Sequence, residues 1–471
     1  MPDFDHDVII MGAGPAGTST AIRLAELGFN VGIVENVQFP RAHVGICLSD
    51  PTLEFLNYLA PHEDLIGANY WPRNFTAVKW GTSQPDYVRQ SGLHIDRGAL
   101  DQSMLRKACA DGVSAYHPAR LIETCSMDGG GWRIAIAVGR SRRELKSPFL
   151  VDATGRNSAL SNVRLKDSAP LIALHANWYL NKPMDFDGLI EAGDDAWLWY
   201  AQTGNRRASV SVFCAPKAIR QRNDGDLRAS YLHLLRQFRL VVPGDFERQS
   251  SRLRACDATS RHSANPVSNH HIRVGDACLS IDPLSSQGVH LALLSGIQAA
   301  IIINTILRKP ENIELAKRFF RDRLAERVAL YSITTTTEYA RVSSVCSDEF
   351  WHKRADARKA AVSRAPVIVA PEPAIPGVSV RVAPEVTFTK EPVINGNFVE
   401  EHICVRHPDI EGAIAFLGGT SLTELLGLLP KLMTYDEIPM FWRDIIPASQ
   451  TDRVRGWLWE KRILTNANFV P

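Results

Sequence analysis

Three glycines at a fixed spacing carry the clearest chemical signal in this sequence. Gly12, Gly14 and Gly17 form a Gly-x-Gly-x-x-Gly run directly after the apolar residues 8–10. In such a run the first glycine permits a tight turn, the second lets the backbone approach a pyrophosphate, and the third lets a helix pack closely on a strand. Glu35, about 20 residues downstream, can accept both hydroxyls of an adenosine ribose and would repel a 2′-phosphate. The spacing therefore predicts a dinucleotide site.

The elements around this run agree with that interpretation. The glycines are followed by a predicted helix with apolar Ala21, Leu24 and Leu27, and residues 30–34 are typical of a second strand. The N-terminus of that helix would present free N–H groups and a partial positive charge to a diphosphate. The competing interpretation is a glycine-rich turn without a ligand, and the strand, helix and strand order argues against it.

Three further motifs place polar side chains where predicted elements begin or end. Arg97 and Asp101 stand at the start of a predicted helix, and the turn 152–155 ends an apolar strand. Asp276 ends another strand, at the edge where ligands dock in open α/β sheets. Asp276 could instead be a plain N-cap, and Asp152 could be only a turn former.

Together, these motifs and the run 282–290 resemble the FAD-dependent monooxygenases built like aromatic hydroxylases, and within them the branch that includes the tryptophan halogenases. The resemblance covers roughly residues 5 to 345. It implies a noncovalent FAD, with Asp276 on the ribityl chain. N–H groups of the loop 285–288 and the following helix dipole could stabilise negative charge on the reduced ring. The cofactor-binding residues implied are Gly12, Gly14, Gly17, Glu35, Arg41, Arg97, Asp276, Pro283 and Gly288.

The element order and this resemblance predict an α/β protein. We expect a Rossmann-type FAD-binding domain (residues 1–170 and 255–362) with an inserted antiparallel-sheet substrate domain (171–254). A Pro-rich linker at 363–386 would lead to a small C-terminal α+β unit at 387–471. The apolar run 290–307 contains Ser295, Gln298 and Asn304, so we expect a buried helix and no membrane span.

Departures from the halogenase pattern favour a hydroxylase. The halogenases resembled here carry Trp-x-Trp-x-Ile-Pro, whereas Trp197 and Trp199 are followed by Tyr-Ala-Gln. They also need a lysine in the tunnel that carries hypochlorous acid. That position falls on Phe75 here, and we expect Lys79 to be a solvated strand lysine. Gln287 matches the Gly-Gln-Gly turn of ordinary flavin hydroxylases.

The resemblance implies that a flavin C4a-hydroperoxide hydroxylates an electron-rich ring such as indole or phenol. His290 and Gln287 are the candidate catalytic residues, with His290 assisting proton transfer; a structural role for His290 is the alternative. Trp197 and Trp199 are candidates for the substrate pocket and could instead be core aromatics. The sequence contains no second glycine fingerprint, so the reductant would be NAD(P)H bound transiently or reduced flavin from a separate reductase.

The overall layout is similar to one sub-branch, the flavoproteins that oxygenate a peptidyl tryptophan during biogenesis of a quinone cofactor of the cysteine tryptophylquinone type. This similarity implies O₂ and a tryptophan-bearing partner polypeptide as substrates. The alternatives are a flavin-dependent halogenase, a small-molecule aromatic hydroxylase and a hydrogenating reductase on the same scaffold. A non-catalytic flavin-binding module, docking through its C-terminal part, belongs to a different class.

Composition argues against several other classes. With 53 Lys and Arg against 51 Asp and Glu, the net charge of +2 gives no reason to expect nucleic acid or a membrane as partner. The 8 cysteines contain no Cys-x-x-Cys pair, so we expect neither a metal site nor a disulfide framework. A reducing, cytoplasmic location without a signal peptide is therefore expected.

Overall fold

The structure is a computed structural model that describes residues 4–41, 47–67, 70–158, 160, 163–220, 226–355, 377–410 and 412–467. The chain divides into two compact units. The first comprises Met1–Arg308 and Phe320–Ala361, and the second comprises Lys309–Phe319 and Val362–Pro471.

The first unit contains a five-stranded parallel sheet whose three central strands are fully buried. Burial on both faces explains why these strands are continuous apolar runs rather than alternating ones. Numbered along the chain, the strands stand in the order 5-4-1-2-3, which is the Rossmann order read from its other end. In that spatial order they are His271–Arg273, Phe149–Asp152, Val8–Met11, Val31–Val34 and Ser114–Tyr116.

Helices Pro15–Glu26 and Gly288–Arg308 pack against each other through small residues. A Cβ atom on Gly296 would lie 2.1 Å from Ser19 Oγ and 2.4 Å from the Ala16 carbonyl oxygen, so only glycine allows this approach. Helix Gly288–Arg308 is long and apolar enough to cross a membrane by composition alone, but 78% of its most apolar window is buried in the protein. It is a core helix, as the sequence predicted.

An eight-stranded sheet forms the second large layer of the first unit. Strands Phe75–Lys79 and Asp86–Arg89 belong to it, although they come far earlier in the chain than the range 171–254 predicted for this layer. Phe75–Lys79 pairs in parallel with Gly188–Ala192, and sequence order does not reveal so distant a pairing. The predicted range is therefore too narrow. The other strands are Phe246–Gln249, Ile172–Leu180, Arg207–Cys214, Ala196–Gly204 and Arg254–Asp257.

Strand register decides which way the aromatic side chains of this sheet point. Trp197 stands opposite Phe213, and the two rings stack with centroids 3.9 Å apart. Trp199 points to the same face, whereas Leu198 and Tyr200 point to the other, because side chains alternate along a strand. The apolar cluster around Trp197 also includes Trp80, Leu171, Ala173, Tyr339, Val342, Phe350 and Trp351.

Smaller elements complete the described part of the first unit. Three short sheets comprise Cys47–Ser49 with Gly92–Ile95 and Tyr70–Pro72, Arg120–Ser126 with Trp132–Val138 and Ser141–Ser147, and Arg164–Lys166 with Arg261–Ser263 and Leu279–Ser280. Further helices are Asp50–Leu59, His62–Ile66, Arg97–Ala110, Pro216–Arg220, Leu227–Leu235 and Glu349–Ala355, together with Ile313–Ser343, which the two units share. Short 3₁₀ turns comprise Gly155–Asn157, Pro243–Asp245, Gly275–Ala277 and Pro283–Ser285.

The second unit has an apolar core of its own. Strand Ser379–Val382 pairs with Met433–Thr434 and with Leu464–Asn466, and its Val380 is fully buried. The expected linker 363–386 therefore ends earlier than the sequence suggested; its residues up to 376 lie outside the described residues. The other elements are the hairpin Thr387–Asn395 and Phe398–Arg406, strands Phe416–Leu417 and Thr420–Ser421, and helices Leu422–Gly427, Ile438–Trp442 and Ala448–Glu460.

Candidate active site

Four loops leave the parallel sheet at its carboxyl edge, and each is fixed by a backbone hydrogen bond just beyond its strand. This edge of an open α/β sheet is where ligands bind. These bonds hold four segments at the same edge of the sheet: the glycine run, Glu35, the turn 152–155 and the residues around Asp276. The N–H donors and their carbonyl partners are Gly12 and Val34, Glu35 and Tyr116, Ala153 and Met11, and Val274 and Asp152, at 2.7 to 3.0 Å.

The glycine run makes the tight turn that its spacing predicts. Gly12 has φ +105°, and a Cβ there would lie 2.4 Å from the Ala153 carbonyl oxygen. A Cβ on Gly17 would lie 1.9 Å from the Gly12 carbonyl oxygen, so the helix can approach the strand only with glycine at this position. Helix Pro15–Glu26 begins without a side-chain cap and without an acidic residue in its first turn. Its N-terminus is therefore suited to an anion.

Glu35 is buried and holds the backbone around the glycine run. Its Oε2 accepts the Ala13 N–H at 2.8 Å, and its Oε1 accepts the Val37 N–H at 2.8 Å. The Arg41 guanidinium lies 3.3 Å from Oε2. The sequence assigned this carboxylate to the hydroxyls of a ribose; that role remains a prediction, and the carboxylate also organises the loop.

Two arginines named from the sequence share one buried carboxylate. Arg97 Nη2 lies 3.1 Å from Asp101 Oδ1, and Arg41 Nη2 lies 2.9 Å from Asp101 Oδ2. Asp101 is fully buried. A Cβ on Gly14 would lie 3.0 Å from Arg41 Nη2, which places this guanidinium against the glycine run. The structure therefore brings Arg41 and Arg97 to the nucleotide loop through Asp101.

Asp276 lies half-exposed where the strand His271–Arg273 ends, and an arginine that the sequence analysis did not single out contacts it. Arg156 Nε lies 3.2 Å from Asp276 Oδ2, and the same guanidinium donates to the carbonyls of Thr259 and Ile281. Arg156 directly follows the turn 152–155, and this position was the available signal for it. Because its carboxylate keeps solvent contact, Asp276 can still accept a ligand hydroxyl.

Asp152 organises its own turn. Its carboxylate accepts the Thr154 N–H at 3.1 Å, the Thr154 hydroxyl at 2.6 Å and the Ser158 hydroxyl at 3.1 Å. Arg273 Nε lies 3.7 Å away, and Asp152 is fully buried. These contacts fit the alternative interpretation from the sequence, in which Asp152 only stabilises its own turn.

The loop 283–288 is built on Asp282. Asp282 Oδ1 accepts the Leu284 N–H at 3.0 Å, and the Asp282 carbonyl accepts the Ser285 hydroxyl at 2.9 Å. Ser286 adopts a left-handed conformation with φ +53°. A Cβ on Gly288 would meet open space, and helix Gly288–Arg308 starts there without an acidic residue in its first turn. Pro283 and Gly288 thus bound a short loop with open space beside it, at a helix N-terminus.

Trp197 lies in the core and not on an open pocket wall. It is 1% exposed, and its Nε1–H donates to Tyr339 Oη at 3.0 Å. The Tyr339 hydroxyl donates in turn to the Asp282 carboxylate, at 3.2 Å from Oδ2. Burial raises the pKa of Asp282, and the nearby Arg354 opposes this shift. The burial of Trp197 fits the core alternative, because almost none of its ring remains exposed.

Trp199 is only half-buried, and its ring meets His94 edge to face with centroids 6.3 Å apart. His94 is buried; its Nδ1 lies 2.9 Å from the Gln202 carbonyl, and its Nε2 has no partner. Burial, reinforced by Arg73 and partly offset by the Gln202 contact, lowers the pKa of His94 to about 4. Of the two tryptophans named from the sequence, Trp199 is the more exposed one, and its place in a substrate pocket remains a prediction.

His290 and Gln287 lie where helix Gly288–Arg308 begins. Both are half-buried, and the His290 ring packs on Phe55 with centroids 5.0 Å apart. His290 Nδ1 is buried without a partner. Burial and then Arg327 lower the pKa of His290, so the imidazole is neutral near neutral pH. The catalytic assignment of both residues remains a prediction.

Lys79 is not a solvated lysine. Its Nζ lies 3.2 Å from Glu191 Oε1 in an ion pair on the sheet, and Glu191 is buried. Glu191 also accepts the backbone N–H groups of Arg239 and Leu240. The expectation of a solvated strand lysine was wrong, because the partner comes from a strand more than a hundred residues away in sequence. Phe75, which the sequence resemblance assigns to the lysine position of the halogenase tunnel, is about half exposed at the start of its strand.

These residues fit a flavin dinucleotide. Two helix N-termini without acidic residues in their first turns suit the diphosphate and the polar edge of the ring, and Asp276 suits a sugar hydroxyl. Among the described residues, no three His, Cys, Asp or Glu side chains form a group that could hold a metal ion.

Sequence comparison places the chain among flavoenzymes. The family model of lycopene cyclase protein matches residues 7–169. The flavin-dependent halogenase armH4 of Armillaria mellea is 28% identical over 354 residues, which cover 64% of this chain and 66% of that one. The chain thus matches about two thirds of the length of that relative. The FAD-dependent oxidoreductase LodB of Marinomonas mediterranea is 24% identical over 366 residues, covering 74% of this chain and 96% of LodB.

Two solved structures match nearly the whole chain. The peptidyl tryptophan dihydroxylase QhpG superposes with a TM-score of 0.72 at 24% identity, covering 97% of this chain and 99% of QhpG. The flavin-dependent halogenase CmlS superposes with a TM-score of 0.79 at 20% identity, covering 99% and 98%. These matches confirm the predicted fold class. The chain is a member of the superfamily of flavin-dependent halogenases and related FAD-dependent oxidoreductases, and it is an enzyme of that superfamily.

Proposed function

We propose that this enzyme is an FAD-dependent monooxygenase that hydroxylates a tryptophan residue of a partner polypeptide, as a step in the biogenesis of a quinone cofactor. The single observation that carries the proposal is the likeness to QhpG over 97% of the chain, which includes the second unit. QhpG is described as a peptidyl tryptophan dihydroxylase essential for tryptophylquinone cofactor biogenesis. The likeness to LodB over 96% of its length is a further support.

The residues of the site have separate roles in this proposal. When bound and reduced, FAD would activate O₂ for attack on an electron-rich ring. The N–H groups at the start of helix Pro15–Glu26 bind the diphosphate, and Asp276 accepts a ribityl hydroxyl. The loop 283–288 and the helix that follows it stabilise negative charge on the polar edge of the ring. His290, neutral near pH 7, would accept at its unpartnered Nδ1 the proton that the hydroxylated ring carbon releases.

Halogenation is the second candidate, because armH4 and CmlS are described as flavin-dependent halogenases. Halogenases of the kind that this sequence resembles need a free lysine to carry hypochlorous acid. Here Lys79 is held by the buried Glu191 at 3.2 Å, and the aligned position is Phe75. An ammonium paired with a buried carboxylate is a poor carrier of an electrophilic halogen, so this pair supports hydroxylation.

The electron donor is part of the proposal. NAD(P)H bound transiently, or reduced flavin from a separate reductase, would supply the electrons.

The partner polypeptide needs a wider contact surface than a small molecule does, and the second unit, with its own core, is suited to provide one.

In the test, reduced, FAD-loaded enzyme is incubated with O₂, bromide and one of three substrates. The substrates are a tryptophan-bearing precursor polypeptide, free tryptophan and a simple phenol. The matched control is the precursor with that tryptophan replaced by phenylalanine. We expect one or two oxygen atoms on the tryptophan of the precursor by mass spectrometry, and none in the control. Turnover of the free compounds with the precursor untouched would favour the small-molecule hydroxylase, and a brominated product would favour the halogenase.

A further inference from the structure

A tyrosine far from the glycine run is tied to the candidate flavin loop. Tyr339, on helix Ile313–Ser343, is 1% exposed. Its hydroxyl accepts the Trp197 Nε1–H at 3.0 Å and donates to the Asp282 carboxylate at 3.2 Å. This chain of hydrogen bonds runs from the core of the large sheet to the residue on which the loop 283–288 is built.

Three hydrogen bonds of that loop end on Asp282. Its side chain accepts the Leu284 N–H, and its carbonyl accepts both the N–H and the hydroxyl of Ser285. The next residue, Ser286, has φ +53°, a conformation that costs a residue other than glycine about 1 kcal/mol or more. The loop therefore depends on a fixed Asp282 to hold a shape that it would not adopt alone.

Asp282 in turn depends on its donors. A buried carboxylate is expensive unless hydrogen bonds satisfy its oxygens. Tyr339 supplies such a bond from a side chain that is itself held by Trp197 and packed among Trp80, Phe350 and Trp351. We propose that Tyr339 is a positioning residue for the flavin, because its hydroxyl fixes Asp282 and thereby aims the N–H groups of the loop 283–288 at the ring.

A matched control is Tyr231 on helix Leu227–Leu235, which bonds to strands of the same sheet. Trp178 Nε1–H donates to Tyr231 Oη at 3.1 Å, and the Tyr231 hydroxyl donates to the Val210 carbonyl at 3.3 Å. Tyr231 is as buried as Tyr339. The chemistry of the two tyrosines is the same, but the bond from Tyr231 ends at a backbone carbonyl in the core and not at the flavin loop.

The experiment compares Tyr339→Phe with Tyr231→Phe. Thermal unfolding of the apoprotein measures the structural cost of each lost hydroxyl. The dissociation constant of FAD, the reduction potential and the visible spectrum of the bound flavin measure its environment. We expect both variants to lose stability, whereas only Tyr339→Phe weakens FAD binding, by about tenfold, and shifts the potential and the spectrum. Trp197→Phe removes a bond that holds Tyr339 but keeps the bond from Tyr339 to Asp282, so its effect on the flavin should be smaller than that of Tyr339→Phe.

Two results would overturn the inference: flavin properties of Tyr339→Phe equal to those of wild type, or equal changes in Tyr231→Phe. If Tyr339→Phe does not fold, Asp282→Asn weakens the same contact from the other side, and an unchanged flavin in that variant would overturn it as well. The inference rests on the proposed flavin site and not on the substrate. Wild-type protein that binds no FAD would refute both proposals, whereas bound FAD with no response to Tyr339→Phe would refute only this one.

Discussion

The Arg41 guanidinium lies 2.9 Å from the buried carboxylate of Asp101. This contact fastens the chain that follows the second strand of the parallel sheet to helix Arg97–Ala110. Arg97 binds the other oxygen of Asp101, so two cations depend on one buried carboxylate beside the glycine run.

Asp101→Asn tests this dependence. Removing one partner of a buried ion pair leaves uncompensated charge, so we expect the free energy of unfolding to fall by about 3 kcal/mol and FAD to bind more weakly. Asp111→Asn is the control just past the end of the same helix, because Asp111 pairs with Lys107 in partial contact with solvent and should cost about 0.5 kcal/mol or less. Urea unfolding of both apoproteins measures the difference. Equal costs for the two substitutions would contradict this interpretation of Asp101.

Gly14→Val and Gly17→Val separate cofactor binding from folding. A Cβ at Gly14 meets only the flexible end of Arg41, so the apoprotein should fold; the methyl groups would occupy the place of the diphosphate, and FAD should be lost. A Cβ at Gly17 collides with the Gly12 carbonyl oxygen, so that variant should also lose about 2 kcal/mol or more of stability. Flavin absorbance after gel filtration and thermal unfolding give the two readouts. Full flavin occupancy in Gly14→Val would argue against the predicted site.

Lys79→Met distinguishes a structural lysine from a reactive one. Because Lys79 neutralises the buried Glu191, its loss should destabilise the protein by about 3 kcal/mol. The oxygenation rate per bound flavin should stay within about twofold of wild type, since Lys79 has no part in the proposed chemistry. Loss of turnover in folded, FAD-loaded Lys79→Met would instead indicate the halogenase-type role.

Stability should depend on pH through His94. Its pKa falls from 6.5 to about 4 in the folded chain, mainly through burial, with Arg73 lowering it further and Asp187 opposing. The unfolded chain therefore takes up a proton first as pH drops, and stability decreases by up to about 1.4 kcal/mol per pH unit between these two pKa values. The His94→Gln variant should lack this pH-dependent loss of stability, while it keeps every other histidine of the wild type. Equal losses in wild type and variant between about pH 7 and about pH 5 would show that His94 is not the cause.

The superfamily and the fold could be predicted because their signals are local. Gly12, Gly14 and Gly17 lie within one turn, and the apolar strand before them is contiguous in sequence. The roles of Trp197 and Lys79 could not be predicted with the same security. Their partners, Tyr339 and Glu191, come from distant elements, and a one-residue change of register would turn each side chain to the other face of the sheet. Arg156 was missed although it follows a turn that the sequence marked.

The site assignments therefore differ in whether the structure describes them or they remain predictions. The contacts of Arg41, Arg97 and Asp276 at the carboxyl edge of the sheet are properties of the fold, whereas their contacts with FAD, and the catalytic roles of His290 and Gln287, remain predictions. A local motif can be recognised in the sequence because its residues form one loop. The hydrogen bond between Asp282 and Tyr339 joins residues far apart in the chain, so only the structure reveals it.

The most direct test of the central claim is a single turnover of reduced, FAD-loaded enzyme with isotopically heavy O₂, bromide and the tryptophan-bearing precursor polypeptide, followed by fragment mass spectrometry of the polypeptide. We expect heavy oxygen on the tryptophan ring and no bromine. Bromine on that ring, or an unmodified polypeptide with all the O₂ recovered as hydrogen peroxide, would contradict it.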